Sequence, residues 1–568
     1  MLKEIYIDII EALQKAGVVG DISFGKPPQP DQGDVAFACF VLAKQQNKNP
    51  AEVAKQIADH IDVTLYEGID KVEALGPYVN FYLSIQEISR EVLMSVIKDG
   101  ESFGTNNLGE NKKVLIEYPS QNTHKEFHIG HLRNVCIGNS LVNLYKKSGY
   151  QVLPINYIND FGAHVVKCLW GINKFHNGNV PKENIQRWLG EVYAEASNYI
   201  KEHDTPEIKE EVTILQNKLE ARDPEIWQLF LQTRDASLDG FTHIHQELGI
   251  THLETILESE VKDEGQKIVD ELLEKNIAKI GDGGAIIFDL SSYNLDIALA
   301  RKSSGAGVYL TSDLALVKRK FKQFDIDESI NVTGIEQDFY FKQLYKVLQL
   351  AGFDKKMTHI GYGLVTLPDG KMSSRLGNVV LYEELRDKVA VKLKKEITDR
   401  YDDWTAEEID SNVVIITQAV LKFTLLKHEA SKNIVFDFNE ATSFDGYSAP
   451  YVLYVIARIN SMVDKGGDLD IFQLQLDLLS VPQEKALLMQ IATYSDVIMR
   501  AVQEYNPAII TKFCFDLAQK YNDFYHHCKV IDDDNKEMTQ IRLLLSRVVR
   551  DVMQDALHVL SIDTVERM

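Results

Sequence analysis

Residues Phe127–Asn134 read FHIGHLRN, with two histidines, His128 and His131, placed around Ile129 and Gly130. Imidazoles at a helix start can donate hydrogen bonds to phosphate oxygens as charge develops on them. The helix N-terminus adds unpaired N–H groups and partial positive charge. Gly130 has no side chain, so a flat base could approach the backbone there. Four residues of this kind also arise by chance, and the reading needs a second motif.

That motif is LPDGKMSSRLGN, residues 367–378. Pro368, Asp369 and Gly370 read as a turn. Lys371, Met372, Ser373, Ser374 and Arg375 then form a basic, hydroxyl-rich stretch suited to a polyphosphate. Alone it would pass for an ordinary polar loop. The chain carries no G-x-x-x-x-G-K-[ST] loop and no G-x-G-x-x-G turn after a strand, so a nucleotide site must use the two stretches together.

The elements around them predict how they meet. VLIEY (114–118) reads as a strand, PSQNTHKEF as a loop, and a helix runs from about His128 to Lys147 before the strand QVLPINYIN (151–159). This is a βαβ unit, and parallel sheets bind ligands at the carboxyl ends of their strands. GAIIFDL (284–290), VYLT (308–311) and SINVTG (329–334) are expected to resume the same sheet after a charged helical insertion at about 172–280. The expected class is α/β: a Rossmann-like catalytic domain over 109–390, an N-terminal α+β domain over 1–108, and a helical domain over 391–568 with its terminal bundle core at about 445–568. In the first domain, Ile5, Ile9 and Leu13 share one side of an opening helix, and Asn49 caps a helix that starts at Pro50.

Length and composition set the limits. At 568 residues, the chain needs several cores. A net charge of −23 argues against indiscriminate nucleic-acid binding but leaves room for local basic tracks such as VKRKFK (317–322). The five cysteines form no C-x-x-C pair, which favours a reducing compartment and speaks against a cysteine-rich zinc site. No dedicated metal site is expected; His526, His527 and Cys528 are adjacent and would point different ways on a helix. No apolar run approaching a membrane span and no signal peptide are read, so a cytoplasmic location is expected.

With both motifs in hand, the chain resembles the class I aminoacyl-tRNA synthetases, whose signatures are HIGH and KMSKS. More narrowly it resembles the bacterial type of arginyl-tRNA synthetases, through IEYPSQNTHKEFHIGHLRN, YINDFGAH (157–164), GVYLTSDLA (307–315), GLVTLPDGKMSSRLGNVV (363–380), YVLYVIARI (451–459) and the closing VERM. QGDVAFACFVLAK (32–44) and GPYVNF (76–81) fit the family's N-terminal domain. The resemblance spans essentially the whole chain and is weaker in the insertion.

The resemblance implies activation of arginine with ATP, magnesium arriving with the nucleotide, and transfer to the 2′-hydroxyl of the terminal adenosine of tRNA, with tRNA needed for the first step. It implies ATP binding by His128, Gly130, His131, Lys371, Met372, Ser373, Ser374 and Arg375. It places Glu117, Tyr309, Asp313 and Gln337 at the guanidinium, and Ser120 and Asn122 at the α-amino and carboxylate ends. A planar, permanent cation does require carboxylates. By spacing alone, however, the plainer readings lead: Glu117 as a strand-end salt bridge, Asp313 as a first-turn acid facing the dipole of a helix after VYLT, and Tyr309 as core; only the combined motif match reverses them.

One departure stands out: where KMSKS has its second lysine, this chain has Ser374. Family members without that lysine commonly carry one just upstream of HIGH, and Lys125 fits, so catalytic charge is assigned to Lys125 with His128, His131 and Lys371. On the tRNA side, the resemblance implies anticodon contacts at Tyr451, Tyr454 and Met568 and an N-terminal domain that meets the tRNA elbow; core packing is an equal reading for the two tyrosines. A monomer is expected. Three other readings compete: a class I synthetase for glutamine or cysteine, an H-x-G-H nucleotidyltransferase, and a tRNA-binding paralogue without catalysis.

Overall fold

The computed structural model describes residues 2–368, 380–467 and 474–568. The sequence LPDGKMSSRLGN therefore falls largely outside the described residues, including Lys371, Met372, Ser373, Ser374 and Arg375.

The centre is a five-stranded parallel sheet in the spatial order Lys356–Tyr362, Glu328–Gly334, Lys113–Glu117, Gln151–Ile158, Glu254–Leu257. The order reverses between Lys113–Glu117 and Glu328–Gly334, so the chain leaves these two neighbouring strands in opposite directions. A crevice opens at their carboxyl ends, where such sheets bind ligands. Every residue of Glu328–Gly334 is buried, as expected of a parallel strand covered on both faces.

Two strand readings are corrected. GAIIFDL does form a strand, Ile286–Asp289, but in a separate three-stranded antiparallel sheet with Lys279–Ile280 and Ile297–Arg301. VYLT is not a strand; it opens the helix Tyr309–Phe324. Its β-branched residues mimic a strand, but the Thr311 hydroxyl accepts from the Val308 N–H at 3.1 Å and stabilises the first turn instead. Asp313 consequently lies one turn beyond Tyr309 on the same helix face.

The insertion is helical, as expected, with Ile185–Glu202, Pro206–Glu220 and Pro224–Glu247 as its main helices. The stretch 210–232 breaks at Arg222, which adopts φ 55°, before Asp223 caps the next helix through the Ile226 N–H. The sheet's outer strand, Glu254–Leu257, falls within the span read as insertion.

The N-terminal residues fold as a four-stranded antiparallel sheet with the helices Lys3–Lys15, Pro50–His60 and Ile85–Asp99. Asn49 caps the Pro50 helix, accepting from Ala51 N–H at 2.9 Å. This unit docks on the C-terminal helices through Lys485, whose ammonium donates to the Asp34 carboxylate and the Leu83 carbonyl, both at 2.7 Å.

After residue 405 the chain is mainly helical. The helix Ala406–Leu426, 21 residues long, is apolar enough to span a membrane by length and composition alone, but two thirds of its most apolar window is buried in the core. Its Lys422 ammonium is also buried and donates to the carbonyls of Leu248 and Ser561, tying the insertion to the last residues of the chain.

Candidate functional site

A cavity of about 480 Å³ opens at the strand reversal. Its lining includes Glu117, Ser120, Asn122, Lys125, His128, His131, Tyr309, Asp313 and Gln337. Nine of the residues assigned from sequence thus converge on one space, although they come from different strands, loops and helices.

The helix Ile129–Lys147 meets this space with His128 as its N-cap. The His128 Nδ1 accepts from the N–H groups of Gly130 at 3.1 Å and His131 at 3.4 Å. The His131 Nδ1 in turn accepts from the His128 N–H at 3.3 Å. An Nδ1 that accepts cannot carry the ring proton, so each imidazole keeps its hydrogen on Nε2. Burial, aided by the Lys125 charge, holds the pKa of His128 down at about 4, and burial holds that of His131 well below its ordinary value. The pair therefore offers two neutral N–H donors.

This corrects the expectation of free backbone donors. Ile129 N–H donates to the Val380 carbonyl at 2.9 Å, and Leu132 N–H to the His128 carbonyl at 3.0 Å. The first-turn amides are thus satisfied within the protein, and what remains for an anion is the helix dipole and the imidazole Nε2–H groups. Gly130 has a local reason as well: a Cβ there would stand 3.0 Å from the His128 ring.

The acidic side is built differently. Glu117 ends its strand 3% exposed, accepts from the Asn331 side-chain amide at 2.9 Å and pairs with the buried Lys320 ammonium. Asp313 accepts from the Tyr340 hydroxyl. Burial raises the Asp313 pKa to about 7, with the Glu117 charge adding to the rise. Several polar atoms along the cavity are buried without a hydrogen-bond partner among the described residues: Ser120 Oγ, Asn134 Oδ1, Tyr157 Oη and Asn159 Oδ1. Buried polar groups are nearly always satisfied, so this concentration marks a space shaped for a polar ligand.

Loop 119–127 is held from the insertion side. Buried His124 uses its Nε2 with Thr233 Oγ1 at 2.8 Å, and its backbone N–H donates to Ser237 Oγ at 3.0 Å. Gln121 pairs with His245. Lys125 lies with its ammonium 5.1 Å from the centre of the Tyr193 ring. Arg133, fully buried, donates to the carbonyls of Gly363, Glu429 and Ala430, joining the signature helix to two segments that are remote from it in sequence.

Lys320, Asn331 and Tyr340 were not singled out from sequence. Lys320 had a usable signal, since it lies seven residues after Asp313 and so on the same helix face. Asn331 and Tyr340 had none, because tertiary packing alone brings them here.

The remaining assigned residues lie elsewhere. Tyr451 and Tyr454 share the helix Ala449–Gly466, both half-buried. The Tyr451 hydroxyl accepts from Asn522 at 2.8 Å, and the Arg458 guanidinium sits 4.8 Å from the Tyr454 ring and 4.9 Å from that of Tyr525. Met568 is buried at 8% exposure. Among the described residues, no group of three His, Cys, Asp or Glu is arranged to hold a metal ion.

Three family models match the chain: the catalytic domain of class I (R) tRNA synthetases over residues 92–438, the DALR anticodon binding domain over 452–568, and the arginyl-tRNA synthetase N-terminal domain over 3–83. The chain is 32% identical to the arginine–tRNA ligase of Bdellovibrio bacteriovorus, over 95% of this chain and 93% of that one. It is 33% identical to the corresponding ligase of Clostridium botulinum, over 95% of each. The fold superposes on Thermus thermophilus arginyl-tRNA synthetase with a TM-score of 0.78 at 22% identity, covering 100% of both chains.

Proposed function

Because the chain belongs to the arginyl-tRNA synthetases, we propose that the cavity at the strand reversal activates arginine with ATP and passes it to tRNA for arginine. The observation that carries this assignment is the pairing of chemistries in one space. Two carboxylates, of buried Glu117 and part-buried Asp313, line one part, and neutral Nε2–H donors, His128 and His131, line another. The first set suits a guanidinium and the second a polyphosphate.

In this reading Glu117, Tyr309, Asp313 and Gln337 receive the guanidinium, and Ser120 and Asn122 hold the α-amino and carboxylate ends. His128, Gly130 and His131 receive ATP. Lys125 supplies phosphate-directed charge in place of the lysine missing at Ser374, assisted by Lys371 and Arg375 with Met372 and Ser373. Magnesium travels with ATP as part of the substrate.

A carboxylate oxygen of arginine attacks the α-phosphate, and the bond to pyrophosphate breaks. The 2′-hydroxyl of the terminal adenosine then attacks the adenylate carbonyl, and AMP leaves. The protein contributes position and charge stabilisation rather than covalent chemistry. Bound tRNA is required for the first step.

The work is divided among an N-terminal domain (1–108) meeting the tRNA elbow, the catalytic domain (109–390) and a helical domain (391–568) reading the anticodon. Tyr451 and Tyr454, with Met568 at the chain end, form the anticodon platform; base stacking on such aromatic residues is worth about 1–3 kcal/mol per base. The enzyme acts as a monomer in the cytoplasm. The test is charging of total tRNA with each labelled amino acid and ATP. Acid-precipitable label is expected with arginine alone; charging with another amino acid, or with none, overturns the reading.

A further inference from the structure

Lys320 is buried completely, two turns beyond Asp313 on the helix Tyr309–Phe324. Its ammonium faces the same cavity and pairs with Glu117. The Asn331 amide holds the other oxygen of that carboxylate, Oε1, at 2.9 Å. Glu117 is therefore fixed from two sides, by a cation on one oxygen and an amide on the other.

The charge count follows. Glu117 and Lys320 cancel, which leaves Asp313 as the uncompensated carboxylate of the pair. One guanidinium then balances this group, two cations against the two anions Glu117 and Asp313, while Lys125 and Glu336 line the cavity as a further cation and anion. A buried charge is costly when alone and far less so when matched. Without Lys320, the neighbouring carboxylates of Glu117 and Asp313 would stand together without that cation, and like charges in such a site share a proton. A pocket holding that proton would bind a cation less well and reject a neutral analogue less sharply.

We propose that Lys320 is a specificity-determining positioning residue: its ammonium orients Glu117 and sets the cavity's charge so that a single permanently charged guanidinium completes it. The proposal rests on the cavity being the arginine site. It predicts discrimination against citrulline, which has arginine's shape but a neutral ureido end. Citrulline would leave Asp313 without a counter-charge.

The test is ATP–pyrophosphate exchange with tRNA present, for wild type, Lys320→Met, Lys320→Gln and Lys320→Arg, with arginine and citrulline as substrates. Thermal melting confirms that each variant is folded. Lys320→Gln keeps a polar group beside Glu117 without the charge, so it probes the same point if Lys320→Met does not fold. In Lys320→Met and Lys320→Gln the arginine KM should rise roughly 10- to 100-fold, the range for loss of a charged hydrogen bond. The ATP KM should stay within about twofold, and the arginine-to-citrulline preference should fall. Lys320→Arg should keep the arginine KM within about fivefold. A wild-type arginine KM in Lys320→Gln, or arginine and ATP KM values rising together, would overturn the proposal. If the wild-type protein itself fails to exchange with arginine, the broader reading falls first, whatever the variants do.

Discussion

His128 and His131 lie ring on ring, 3.7 Å between centroids and 19° between planes, each accepting the other's backbone N–H through Nδ1. The same two atoms thus close the helix N-terminus and force both remaining protons onto Nε2. Capping and the proposed phosphate-directed donation are joined in one pair of side chains.

That joint role can be separated. His128→Ala loses both the cap and the donor, so pyrophosphate exchange should fall roughly 100- to 1,000-fold and stability by about 1 kcal/mol. Asparagine can cap but offers no group at the Nε2 position. His128→Asn should therefore recover the melting midpoint while exchange stays low. Recovery of exchange together with the midpoint would mean that His128 only caps.

Lys125 is the remaining cation assigned near the imidazoles, and its charge helps depress the His128 pKa. Lys125→Ala should lower exchange, measured with saturating tRNA, by roughly 100-fold. Near wild-type exchange would remove Lys125 from the phosphate chemistry.

Arginine binding should depend on pH through Asp313, whose pKa burial raises to about 7. Arginine keeps its charge throughout, but a protonated Asp313 offers none. kcat/KM for arginine should therefore rise with pH from about 6 and level off above about 8. Steady-state rates at limiting arginine check this; a flat profile across that range would show that Asp313 is ionised throughout.

Stability has its own pH signature. Burial holds His124 and His252 down at about 3, His128, His164 and His245 at about 4, and His131 well below its ordinary value. The unfolded chain takes up these protons near pH 6.5 and the folded chain does not, so the contribution is complete above about 6.5 and is lost as pH falls. Glu126 and Asp313 at about 7 and Glu258 at about 8 act oppositely, since the folded chain keeps protons that the unfolded chain has released. Their contribution is lost as pH rises from about 4.5 to about 8. Below 6.5 the six imidazoles outweigh the three carboxyls. The melting midpoint should peak near pH 6.5 and fall steeply towards pH 5, as calorimetry across that range would record.

The sequence carried the site further than it carried the fold. FHIGHLRN was legible because its chemistry is local: a helix start, two imidazoles and a glycine within eight residues. Glu117 was legible as a strand end because it closes an apolar run, but its place at the guanidinium came only from the resemblance. VYLT misled because β-branched residues favour strands in general, while the Thr311 hydroxyl bond that makes it a helix start is a single contact. The strand Ile286–Asp289 was legible as a strand but not as part of a different sheet, since pairing partners leave no trace in one strand's pattern. Nor did the sequence tell that the first-turn amides are already used. That follows from the rotamers of His128 and His131 and from Val380, which is remote in sequence.

The central claim, that this cavity is where arginine is recognised and activated, is tested most directly by Asp313→Asn in ATP–pyrophosphate exchange with tRNA present. Asparagine keeps the shape and can still meet the Tyr340 hydroxyl, but removes the charge. The account predicts an arginine KM raised roughly 100-fold or more, with the ATP KM within about twofold of wild type. An unchanged arginine KM would contradict it.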